Sequence, residues 1–131
     1  MVAYSFQRQF IAPIVSGRKR QTIRAPRKRH AREGEALQLY TAMRTKQCRP
    51  IGTAVCLEAR AIELDFVKRS VLIEGVPGGP IDGVLELDSI AQDDGFADFS
   101  EMRAFWAGVA TFSGVLIRWH QFAPAAEVLA A

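Results

Sequence analysis

Lys19 and Thr22 stand three residues apart in the stretch SGRKRQTIRAPRKRHAR, Ser16 to Arg32. That stretch carries eight cations (Arg18, Lys19, Arg20, Arg24, Arg27, Lys28, Arg29 and Arg32) and no carboxylate before Glu33. Two kinds of chemistry suit these residues. A threonine hydroxyl is a weak nucleophile until a neighbouring base takes its proton, and a lysine crowded by other cations gives up its own proton more readily. Arg18, Arg20 and Arg24 are the cations available to crowd Lys19. Asp93 and Asp94, beside Gly95, are the carboxylates available to shuttle a proton or orient the base. The second chemistry is binding, because a cationic run with aromatics nearby suits phosphate contact and base stacking. His30 reads as another loop or surface residue.

The charge distribution favours a polyanionic partner. The net charge is +3 over 131 residues, but Met1–Arg32 holds nine basic and no acidic residues, a local charge of +9, and the remainder carries −6. A field divided in this way steers anions to one side of the molecule. Cys48 and Cys56 are too few for a disulfide scaffold, and their spacing is not that of metal ligands, so they read as free thiols of a reducing cytoplasm. No metal, cofactor, signal peptide or membrane span is expected.

The elements that must position Lys19 and Thr22 can be read from periodicity. Val2–Phe6 is expected as a strand, and QFIAPIVSG as a brief helix ended by Gly17. In a strand over Thr22–Arg24, Ile23 points to the core and Thr22 and Arg24 share the other face. Lys19 would then face away from Thr22, unless Gly17–Arg20 is a turn. Further strands are expected in GEALQLYTA, in IGTAVCLEARAIELDF (with Val55, Leu57, Ala59 and Ala61 on one face), in RSVLIEGV, in VLELDS and in FSGVLIRWHQF. A helix is expected from Ser100, as its N-cap, to Val109, and the tail APAAEVLAA is expected to fray. Phe105, Trp106, Phe112 and Trp119 read as core, and Tyr4, Tyr40 and Phe96 as candidates for a stacking surface. Short strands with two short helices indicate α+β or a small barrel.

The collinear segments FQRQF, SGRKRQTIR, REGEALQLY, DDGFADFSEM and FSGVLIRW resemble the ASCH domain, of the PUA-like group, from about Phe6 to about Phe122. The most specific part is the G-x-K-x-x-T-x-R element at Gly17, Lys19, Thr22 and Arg24. The resemblance implies an α+β fold built as a small PUA-like β-barrel with short helices at the rim. Residues 1–122 would form one domain and residues 123–131 a C-terminal tail. It also implies a cleft beside the motif that takes RNA or a modified nucleotide. On that reading Arg18, Lys19, Arg20, Arg24, Arg27, Lys28, Arg29 and Arg32 bind nucleic acid, and Tyr40 and Phe96 belong to the cleft.

The resemblance implies two catalytic alternatives as well, a metal-independent ribonuclease and an amidohydrolase acting on acetylcytidine-like nucleosides. In the amidohydrolase branch a lysine and a threonine of this segment work with a glutamate. Lys19 and Thr22 match the first two, and Asp94, one methylene shorter, stands where the glutamate would be. A misplacement of about an ångström can cost roughly a hundredfold in rate. APRKRHAR and AMRTKQCRP add cations that a polynucleotide would use and a nucleoside would not. A barrel whose basic face meets an acidic protein is the remaining alternative.

Overall fold

The computed structural model describes residues 1–130, and Ala131 lies outside the described residues. The strands are β1 (Val2–Phe6), β2 (Gln21–Arg24), β3 (Ala36–Thr41), β4 (Arg49–Asp65), β5 (Ser70–Ile73) and β6 (Thr111–Pro124). The helices are α1 (Ile11–Val15), α2 (Val84–Asp93), α3 (Phe99–Phe105) and α4 (Ala126–Ala130), with a 3-10 turn at Arg8–Phe10 leading into α1. Among the described residues no helix is long and apolar enough to cross a membrane.

One sheet holds all six strands. Its main path runs β1-β3-β4-β6-β2, and β5 pairs with β4 off that path. The long strand β4 organises it. One edge of β4 pairs with β6 along most of its length, and its other edge is shared by β3 near the start and β5 near the end. β1 joins β3 in parallel, with Val2 opposite Leu37 and Phe6 opposite Thr41. Alternation explains the core face: Val2, Tyr4 and Phe6 of β1 and Leu37 and Leu39 of β3 are all buried.

The sheet is not closed into a barrel. Its end strands β1 and β2 share no ladder. β2 is only four residues long and Pro26, just beyond it, lacks an N–H to donate. The Arg24 side chain crosses the seam instead, its Nη2 donating to the Ser5 carbonyl at 2.6 Å. The architecture is therefore mixed α+β, with helices packed on an open six-stranded sheet.

Three local expectations are corrected. VLELDS begins the helix α2. Leu85 and Leu87 alternate with acids as a strand would, but the face that packs is Leu87, Ile90 and Ala91, at helical spacing, and Val84 and Leu85 remain exposed. In β4 the buried face is Ala54, Cys56, Ile62 and Leu64, out of phase with the expected Val55, Leu57, Ala59 and Ala61. Leu57 is the extra residue of a bulge between Cys56, opposite Trp119, and Glu58, opposite Arg118, and it is left largely exposed. Finally, α3 is capped by Asp98, not Ser100, and ends at Phe105, not Val109. The chain after Phe122 also continues in regular structure. β6 runs to Pro124, and the Ala125 N–H donates to the Ile51 carbonyl at 2.8 Å just before α4.

Asp98 Oδ1 accepts from the Glu101 N–H at 2.8 Å, satisfying a donor that the first turn of α3 would leave unpaired. That cap fixes the start of the helix that buries Phe99 and Met102 and carries Phe105. Asp98→Ala is expected to lower stability by about 1 kcal/mol, and Ser100→Ala to change it by less than about 0.5 kcal/mol. Urea unfolding midpoints decide this, and the reverse order of effects would overturn the assignment of the cap.

Candidate functional site

The turn that places Lys19 begins where α1 stops. Gly17 adopts φ +84°, the left-handed geometry that ends the helix. The Lys19 N–H then donates to the Pro13 carbonyl at 2.9 Å. The next residue is held from both sides: the Arg20 N–H donates to the Asp93 carbonyl at 2.8 Å, and its carbonyl accepts from the Trp119 N–H at 3.0 Å. The expected turn between Gly17 and Arg20 is thus present. It sends the Lys19 side chain inward, beside the face of β2 that bears Thr22 and Arg24.

Lys19 is only 3% exposed. Its Nζ donates to the Asp94 backbone carbonyl at 2.6 Å and lies 3.6 Å from Asp94 Oδ1. It also sits over the rings of Phe10 and Phe6, at 4.7 and 5.5 Å from their centroids. Asp94, 5% exposed, accepts a long bond from Gln21 Nε2 at 3.5 Å. Gly95 makes this approach feasible. It takes φ +99°, and a Cβ there would come within 3.0 Å of Lys19 Cδ.

Thr22 and Lys19 line one cavity but are not hydrogen-bonded to each other. Thr22 Oγ1 accepts from Arg24 Nε at 2.8 Å, which leaves the hydroxyl hydrogen to donate. The cavity encloses about 200 Å³ among Lys19, Thr22, Arg24, Asp94 and the rings of Phe6, Phe10, Phe96, Phe105 and Trp106. Phe96, expected in the cleft, is in its wall. Tyr40 is not: it lies against Gln38, Pro50, Gly52 and Thr53 in a separate hollow. Tyr4, a stacking candidate, is buried beneath the guanidinium groups of Arg24 and Arg27. Phe105, expected in the core, is 43% exposed at the cavity mouth. Its place at the last residue of α3 was not visible in the sequence, where the helix was expected to run on to Val109.

The eight cations divide. Lys19 and Arg24 belong to the cavity. Arg20 pairs with Asp93, and Arg29 with Glu35. Arg18 donates to the Gly95 carbonyl and Arg27 to those of Arg29 and Ala3. Among the described residues the side chains of Lys28 and Arg32 make no hydrogen bond or ion pair. His30 ties this loop down, with Nδ1 bonded to Tyr4 Oη at 3.0 Å and Nε2 to the Ala25 carbonyl at 2.9 Å.

Burial moves the two central groups in opposite directions. It lowers Lys19 below the usual lysine value, against the raising effect of Asp94. It raises Asp94 from 3.8 to about 6, against the lowering effect of Lys19. The folded state therefore keeps a proton on Asp94 at pH values where the unfolded chain has released it. This contribution to stability is complete below about pH 4 and is lost as pH rises through about 6. Asp94→Asn keeps the backbone carbonyl that holds Lys19 and is expected to remove this limb. Urea midpoints measured through that range test it, and a variant with the same pH slope as the native chain would contradict it.

No family model and no curated protein matches the chain. Solved structures do. The ASCH protein of Zymomonas mobilis is similar at 18% identity with a TM-score of 0.53, over 93% of this chain and 68% of that one. A Tyr-to-Phe variant of the same protein is similar at 17% identity with a TM-score of 0.53, over 93% of this chain and 70% of that one. The likeness lies in the backbone, and on that ground this chain has the fold of the ASCH structures.

Proposed function

We propose that this chain recognises a single unpaired or modified base, in RNA or in a free nucleotide, with the base in the Lys19–Asp94 cavity and phosphate on the basic rim. The observation that carries the reading is the convergence of Lys19, Thr22, Arg24 and Asp94 in one aromatic-walled cavity beside the cationic run. Pockets for drug-sized ligands span roughly 300–1,000 Å³. At about 200 Å³ this cavity suits one flat ring and leaves sugar and phosphate outside. Thr22 and Lys19 supply donors and Asp94 an acceptor for the edge of a base, and Phe10 and Phe105 offer apolar faces. Arg18, Arg27, Lys28 and Arg32 then serve the phosphates, whereas Arg20 and Arg29 are engaged by Asp93 and Glu35.

The roles separate under salt. With about four cations on a single strand, log affinity against log salt should fall with a slope near −2.8. Lys19→Met should weaken binding about tenfold, as the loss of a buried charged donor does, and leave the slope unchanged. Fluorescence anisotropy with a single-stranded RNA, beside circular dichroism of the variant, makes the test. A flat salt dependence, or native affinity in the variant, would refute the reading.

A second reading, hydrolysis of an acylated cytidine, is favoured by one observation: Lys19 is lowered and Asp94 raised within a single buried pair. Groups moved toward neutrality can exchange protons at working pH. A water would attack the amide carbonyl, or Thr22 would and a water would then cleave its acetyl ester to release acetate; Lys19 would take the nucleophile's proton or stabilise the oxyanion, and Asp94 would relay a proton to the departing amine. Release of cytidine and acetate from acetylcytidine by the native protein, and not by Lys19→Met, would establish it.

A further inference from the structure

A second concavity adjoins the candidate site. It encloses about 700 Å³ and shares the wall Ser5–Gln7 with the small cavity, so only the end of β1 separates them. That wall is pinned on both sides. Arg24 Nη2 bonds to the Ser5 carbonyl from the cavity side, and the Met43 N–H donates to Ser5 Oγ at 3.2 Å from the loop that follows β3. Thr41 Oγ1 adds a bond to the Phe6 carbonyl at 2.9 Å.

The groove has the chemistry of a nucleotide's outer parts. Its lining joins the apolar Ile11, Pro50 and Ile51 to the cations Arg8 and Arg49. Glu127 is the one acidic residue of its lining among the described residues. Arg44 and Lys46, both exposed, extend the positive charge along the neighbouring loop. Arg49 holds that loop by donating to the Cys48 carbonyl at 2.8 Å. An apolar trough with cations suits a sugar and base face joined to an anionic linker, and single-stranded nucleic acid presents that combination repeatedly.

We infer that this groove is a second subsite, which takes the nucleotide adjacent to the one whose base occupies the Lys19–Asp94 cavity. The inference rests on the nucleotide reading above and deepens it: the ligand is a strand of at least two residues, with Arg8 and Arg49 each on one of its phosphates. Shared use of the Ser5–Gln7 wall makes the two sites adjacent, and the charge of the groove matches a strand better than it matches an apolar peptide.

Equilibrium dialysis with two probes tests this, a mixed-sequence hexaribonucleotide and the four ribonucleoside monophosphates. Arg8→Glu/Arg49→Glu should weaken hexamer binding at least tenfold and make its salt slope shallower by about 1.4, the share of two phosphates. Monophosphate binding should stay unchanged. Lys68→Glu/Arg103→Glu, an equal change of charge outside both sites, should alter hexamer binding far less. Hexamer binding insensitive to the groove variant, or equally sensitive to both double variants, would overturn the subsite and assign the groove to another occupant. Failure of the native protein to bind either probe would instead overturn the nucleotide reading and the subsite with it.

Discussion

A lysine ammonium held out of water is the constraint around which this structure is arranged. Removing such a charge from solvent costs several kcal/mol unless partners replace the lost hydration. At Lys19 the partners are the Asp94 carbonyl, the Asp94 carboxylate and the faces of Phe6 and Phe10. They come from β1, from the turn before α1 and from the turn after α2, so the charge is tolerable only once these distant segments have met. The backbone bonds that join them, Arg20 to Asp93 and Trp119 to Arg20, act as a clamp on the same point. Gly95, shaped so that nothing crowds Lys19, completes it.

This arrangement changes what a cationic run means. Eight positive charges in sequence suggest one continuous contact surface, yet the fold gives them at least three fates: burial in a cavity, pairing with local carboxylates or carbonyls, and exposure at the rim. An exposed cation draws in an anion from a distance, and its effect fades with salt. A buried one, locked to a carboxylate and surrounded by aromatic rings, discriminates between shapes and protonation states at contact. On the proposed reading, the motif joins long-range attraction to short-range selection within about fifteen residues.

Much of this was legible in the sequence. The opening strand, the brief helix ended by Gly17, the strand over Thr22–Arg24 and the need for a turn before it all followed from period and punctuation, because those signals are local. What was hidden depended on distant partners. The phase of β4 was decided by its pairing with β6, whose register shifts twice, between Thr53 and Val55 and between Cys56 and Glu58. VLELDS offered alternation and helical spacing at once, and the packing of Leu87 and Ala91 decided between them. Asp94 was identifiable as a carboxylate near a glycine, but its principal bond to Lys19 is made by its backbone, which residue type alone does not reveal. Phe105 and Tyr40 were exchanged for the same reason, since aromatic character says nothing about which side of an element faces a cavity.

The claim on which the account stands is that a base enters the Lys19–Asp94 cavity and does not merely rest on the cationic rim. The most direct measurement is a nuclear magnetic resonance titration with uncharged nucleosides, following the Gly95 amide and the Trp106 indole N–H, which belong to the cavity region, beside the amides of Lys28 and Arg32 on the rim. If a base enters the cavity, at least one nucleoside moves the Gly95 and Trp106 signals along one saturable curve and leaves the rim signals nearly still. Shifts confined to Lys28 and Arg32, or no saturable shift with any nucleoside, would contradict it.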